Sequence, residues 1–177
     1  MTSASNENIT GNTIKDSAYG IRGVSSLNNI IIGNTITQTS YAIHLTSAST
    51  GNTVRSNIVS GKTAGIYTTS DNTIADHNTA IDGSSGLYFA GCKNASIYYN
   101  TIANSSMGIR LWCSVATTTS HKVNNNKIVN TDWGIYLESS NGNTLTGNWL
   151  PKNTWGIFLT PSSSNTIYHN DFVNNTK

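Results

Sequence analysis

The chain has 177 residues and a net charge of +2, with only 10% of its residues charged, which provides neither the field nor the basic runs of a nucleic-acid binder. No apolar stretch approaches the ~18–20 residues that span a bilayer as a helix, and Met1-Thr2-Ser3-Ala4-Ser5 lacks the basic region and apolar core of a signal peptide. Asn, Ser, Thr and Gly supply the polarity, a composition compatible with disorder, but the regular spacing of Ile, Val and Leu argues against it.

From the N-terminus onward, short apolar segments alternate with polar turns, each too short for a helix and each patterned like a strand. They group into threes. The inward residue of the first strand is Ile9, then Ile31, Val54, Ile74, Ile97, Val123, Leu145 and Ile167. The second strand contributes Ile14, Ile36, Val59, Ala80, Ile102, Ile128, Leu150 and Phe172. The third contributes Ile21, Ile43, Ile66, Leu87, Ile109, Ile135 and Ile157. Between first and second the gap is five residues, except for six from Ile74 to Ala80; between second and third it is always seven. Only the return segment varies much, and it is longest from Ile109 to Val123.

Two residues before each second-strand position stands an asparagine: Asn12, Asn34, Asn57, Asn78, Asn100, Asn126, Asn148 and Asn170. A period near twenty-two residues marks a solenoid, whose repeats bury their apolar faces only by stacking on one another. Stacked asparagines then form a column of amides that bond turn backbone and each other. Gly20, Ala42, Gly65, Gly86, Gly108, Gly134 and Gly156 precede the third strand, where a larger side chain would obstruct the backbone.

The units Asn-Thr-Ile and Gly-Ile-X-Leu, as in Gly33-Asn34-Thr35-Ile36 and Gly134-Ile135-Tyr136-Leu137, resemble the parallel β-helix repeat family. The likeness is to its NosD-like and carbohydrate-binding/sugar-hydrolase groups. It implies an all-β, right-handed parallel β-helix with three short parallel sheets, and the handedness of parallel crossovers agrees. About seven and a half coils at ~4.8 Å each would make a rod on the order of 36 Å long. Residues 1–177 read as one such domain, and the abrupt ends suggest an excised segment whose uncapped coils favour self-association.

Catalysis leaves little trace. Polysaccharide-cleaving β-helices, by resemblance, carry clustered carboxylates outside the Gly-Ile-X-Leu strand, and hydrolysis needs two within roughly 5–9.5 Å. Asp132 and Glu138 are the nearest pair in one coil, but six extended residues separate them by roughly 20 Å. NosD-like proteins are described as copper-associated, yet His44, His77, His121 and His169 do not converge as a transition-metal site requires. His121 takes an Asn-like place before Val123. Neither metal nor cofactor is expected. The threonine column Thr13, Thr35, Thr79 and Thr101 is broken by Ile58, Lys127, Trp149 and Asp171, which argues against an ice-binding lattice.

Cys92 and Cys113 follow the third strand in adjacent coils, one above the other near the Cα separation of a disulfide. Two buried thiols packing as small apolar groups are the other reading; a bond is expected, consistent with an oxidising compartment. The outward row of the third strand reads Arg22, His44, Tyr67, Tyr88, Arg110, Tyr136 and Phe158. Beside it run Tyr19, Tyr41, Ala64, Ser85, Met107, Trp133 and Trp155. Such a strip is a stacking platform for sugar rings, with guanidinium groups to bond hydroxyl or carboxylate, or else cross-strand packing. The expected function is a non-catalytic, extracytoplasmic domain that binds a polysaccharide along the third sheet. The alternatives are an accessory rod docking protein partners and, after it, a lyase or hydrolase.

Overall fold

Each repeat forms one coil of a parallel stack, and the fifth is representative, with strands Ser96–Tyr98, Thr101–Ala103 and Met107–Thr118. The computed structural model describes residues 1–46 and 48–177, with the main chain alone for 115–117. The chain is a parallel β-helix. Its eight first strands form one sheet, and the second and third strands form another of thirteen. These two expected sheets merge because Thr35–Thr46 and Ile58–Thr68 run through the corner as single strands.

Stacking keeps the inward columns in register. Ile102 pairs with Ala80 and Ile128, and Ile109 with Leu87 and Ile135, all of them essentially buried. One expected member is corrected. Ala75, not Ile74, pairs with Val54 and Ile97 and is buried. Ile74 aligns instead with Thr53 and Ser96 on the outer face. The five-residue gap therefore holds in every coil, and the apparent irregularity came from choosing the larger apolar neighbour. The long return after Ile109 is absorbed by a register shift between Trp112 and Thr117.

The corners explain why the strands are so short. The residue before each Asn of the column has a positive φ, whether it is Gly33, Ser56, His77, Tyr99, Asn125 or His169. A left-handed residue reverses the pleat and turns the chain sharply, and Gly and Asn adopt it at least cost. Asn28, Asn72 and Asn94 repeat the device before the first strand, and Asp82, Asn104 and Asn130 before the third.

Each Asn then ties its corner to the next coil. The Asn57 main-chain N–H and side-chain Nδ2 both donate to Asn78 Oδ1 at 3.0 Å, and Nδ2 also donates to the Ile31 carbonyl at 2.9 Å. Asn78 repeats this toward Asn100, Asn100 toward Asn126 and Asn126 toward Asn148. The column runs from Asn12 to Asn170.

A second column stands before the first strand. There the Asn29 N–H donates to Asn52, that of His121 to Asn143 and that of Asn143 to Asn165. A third begins at the last corner, where Asn153 accepts from Thr131. The glycines before the third strand answer a different need: a Cβ on Gly86 would lie 2.8 Å from the Gly108 carbonyl oxygen and inside the Ile102 side chain.

Asn100→Ala should lower unfolding stability by roughly 2–4 kcal/mol, since it leaves the buried Asn78 N–H without an acceptor as well as removing its own bonds. Asn12→Ala, at the exposed first coil, should cost under about 1 kcal/mol. Urea unfolding followed by circular dichroism measures both, and equal losses would show that the column is not the staple described.

Candidate functional site

The third sheet carries two rows on its outer side, one on either side of the inward pair formed by the small residue and the Ile or Leu after it. Arg22 pairs with His44, His44 with Tyr67, Tyr67 with Tyr88, Tyr88 with Arg110, Arg110 with Tyr136 and Tyr136 with Phe158. All seven share one row. Tyr19, Tyr41, Ala64, Ser85, Met107, Trp133 and Trp155 form its neighbour in the same register.

The rings interlock. Tyr19 and Tyr41 stack at 5.6 Å, and His44 stacks on both, at 5.0 and 4.8 Å. Tyr67 meets His44 and Tyr88 edge-on at 4.8 and 5.0 Å. Further along, Trp133 stacks on Tyr136 at 5.8 Å, and Phe158 packs on Tyr136 and Trp155. Arg110 joins the two halves, its guanidinium 4.6 Å from the Tyr88 ring and 5.9 Å from Tyr136. Pairs of this kind contribute about 0.5–1.5 kcal/mol beyond area burial, so the row also supports the fold.

Glu138 belongs to this site although the sequence reading placed it only as a failed catalytic partner. It lies in the next outward row, paired with Trp112, and its Oε2 accepts from Arg110 Nη2 at 2.8 Å. The coupling needed the register, since the two residues are 28 apart in sequence. Two buried polar atoms of the strip, His44 Nδ1 and Arg110 Nε, have no hydrogen-bond partner among the described residues. Burial, aided by Arg22, lowers the His44 pKa. Burial raises those of Tyr67, Tyr88 and Tyr136, which therefore keep their hydroxyl protons at neutral pH.

The other histidines are bound into the fold. His77 Nδ1 lies 3.0 Å from Asp76 Oδ2, and that buried carboxylate also accepts Arg55 Nε on both oxygens. His121 copies a ladder Asn. Its Nδ1 accepts the Ala95 N–H at 3.1 Å and its ring also bonds the Cys92 backbone. His169 packs edge-on against Tyr168 in the last coil.

The expected Cys92–Cys113 bond is not formed, and both cysteines are buried thiols. Ala90 pairs with Trp112, so the register sets Cys113 beside Gly91, a left-handed turn residue at φ +63, rather than beside Cys92. Burial pushes the Cys92 thiol up to about 12.

Parallel strands coiled around an apolar core, amide-stapled at the corners and carrying an aromatic strip on one face, define a β-solenoid protein. Within that class the chain belongs to the NosD family: the profile described as periplasmic copper-binding protein (NosD) matches residues 1–121 and 113–177. No curated protein matches the chain.

A copper site does not fit the described residues. Among them no three His, Cys, Asp or Glu converge on a point. His121 uses its ring in the ladder, and His44 is packed among tyrosines.

Burial lowers the His121 pKa to about 4 against an ordinary 6.5, outweighing the bond to Cys92. The neutral ring's contribution is therefore complete above about pH 6.5 and is lost as pH falls toward 4, on the order of 3 kcal/mol. His121→Asn, which restores the usual ladder residue, should flatten the fall in stability over that window; an unchanged slope in urea titrations would exclude this role. Cys92 should resist maleimides in the folded protein and react on denaturation, because the thiolate is the reactive form; mass spectrometry of labelled peptides reads this directly.

Proposed function

We propose that this chain is a non-catalytic, extracytoplasmic β-helix that binds carbohydrate along its third sheet. The observation that carries the reading is the strip's composition in three dimensions. Tyr67, Tyr88, Tyr136 and Phe158 are half-buried, so each ring is held in place by neighbours and still offers apolar surface. A pyranose ring stacks on such a surface through its C–H face, while polar groups at the margin fix its orientation. The outward row repeats about every 4.8 Å, near the length of one sugar unit, so a glycan lying along the axis would meet a ring or a guanidinium group with each residue.

The family's periplasmic description supports the location, and the separation of the carboxylates supports a binding rather than a cleaving role. The accessory-rod reading rests on a different feature. The last coil exposes Ile167, Tyr168, Phe172 and Val173, with Phe172 at 53%, an apolar end suited to another protein coil or to a second copy.

Tyr67→Leu and Tyr136→Leu keep apolar bulk over the sheet while removing the ring. Each should weaken glycan binding by about 0.5–1.5 kcal/mol, with little change in melting temperature. Affinity electrophoresis against immobilised polysaccharides provides the measurement. Undiminished retention by the double variant would count against the strip. A silent glycan array together with specific capture of a protein partner by the last coil would favour the rod.

A further inference from the structure

The centre of the strip pairs one cation with one carboxylate. Arg110 is the one cation in its row between His44 and Phe158, and Glu138 already holds its Nη2 at 2.8 Å. Tyr88 and Tyr136 occupy the approaches to the guanidinium plane, which leaves its edge for a ligand. The Arg110 Nε–H is buried without an acceptor among the described residues, while a quarter of the side chain remains exposed. Arg110 and Glu138 stand on adjacent coils, so a donor and an acceptor lie side by side along the rod axis.

We propose that this segment takes a neutral glycan bearing free hydroxyl groups and disfavours uronates, an inference that rests on the carbohydrate reading above. A hydroxyl both accepts and donates. It can accept from an exposed N–H of the Arg110 guanidinium while it, or its neighbour on the same ring, donates to the part-exposed Glu138 carboxylate. A ligand carboxylate accepts only, and it must approach Arg110 against the charge of Glu138, a like-charge contact that disfavours it. Arg22, four coils away and set over the Tyr19 ring, is the strip's one strongly exposed cation. It lies roughly 19 Å from Arg110 along the axis, too far to neutralise a uronate there.

The test is an array of neutral and acidic glycans probed with the whole chain, followed by calorimetry on a neutral hexaose that binds and on hexagalacturonate. The wild-type protein should hold the neutral hexaose at least about tenfold more tightly, and added salt should leave that binding unchanged because no net charge is exchanged. Glu138→Gln keeps the side chain's shape and removes its charge, and should narrow the preference by about tenfold.

Tighter binding of hexagalacturonate by the wild type, or an unchanged preference in Glu138→Gln, would overturn this inference and leave the strip a carbohydrate site. If the variant fails to fold, a steep salt dependence of wild-type binding has the same consequence. Binding of no glycan at all removes both.

Discussion

The structure depends on one arrangement of hydrogen bonds, in which a side-chain oxygen accepts the main-chain N–H of the corner one coil back. Three corners per coil must reverse the chain, and a reversal exposes backbone donors that no strand partner can reach. In a rod built by stacking, those donors face the interior of the wall rather than water, where leaving them unpaired is expensive. An amide accepts from that donor and donates to two sites at once, as Asn57 does in accepting the Asn34 N–H while giving its Nδ2 to the Ile31 carbonyl and to Asn78. The period near twenty-two residues, the shortness of the strands and the rigidity of the register all follow from placing such an amide at the same point of every turn.

Much of this was legible in the linear chain because stacking makes distant residues equivalent. Every outward pair of the third strand could be read by adding one period, and the Asn column could be read in the same way. What failed shows the limit of that arithmetic. Ile74 reads as the inward residue because it is larger than Ala75, but register rather than size decides which of two neighbours faces the core. The cysteines appeared stacked because their offsets from the strand nearly agree, yet one residue of slip at Gly91 moves Cys92 out of line. Glu138 was judged only against Asp132 in its own coil, whereas its partner Arg110 belongs to the coil before. The left-handed corners fall on residues suited to them at Gly33 and Asn94 and on unsuited ones at His77 and Tyr99, where the fold overrides an unfavourable residue.

The strip shows how a wall of this kind presents a patterned surface without a pocket. Its residues are positioned by a scaffold that repeats regardless of what they are, so the outer rows can vary while the inner ones cannot. His121 shows the same freedom within the scaffold itself. An imidazole with one nitrogen accepting and the other donating meets the amide's requirement, at the expense of making one corner sensitive to acid.

The amide columns also have a direction. In each, the donor belongs to the earlier coil and the acceptor to the later one, from Asn12 toward Asn170. Each column therefore presents side-chain carbonyls toward its first coil and main-chain N–H groups toward its last, a polarity like that of a helix dipole. A further coil, whether of the same polypeptide or another, continues the pattern only when laid down in the same sense, so like tips cannot satisfy one another and any stacking of rods must be polar.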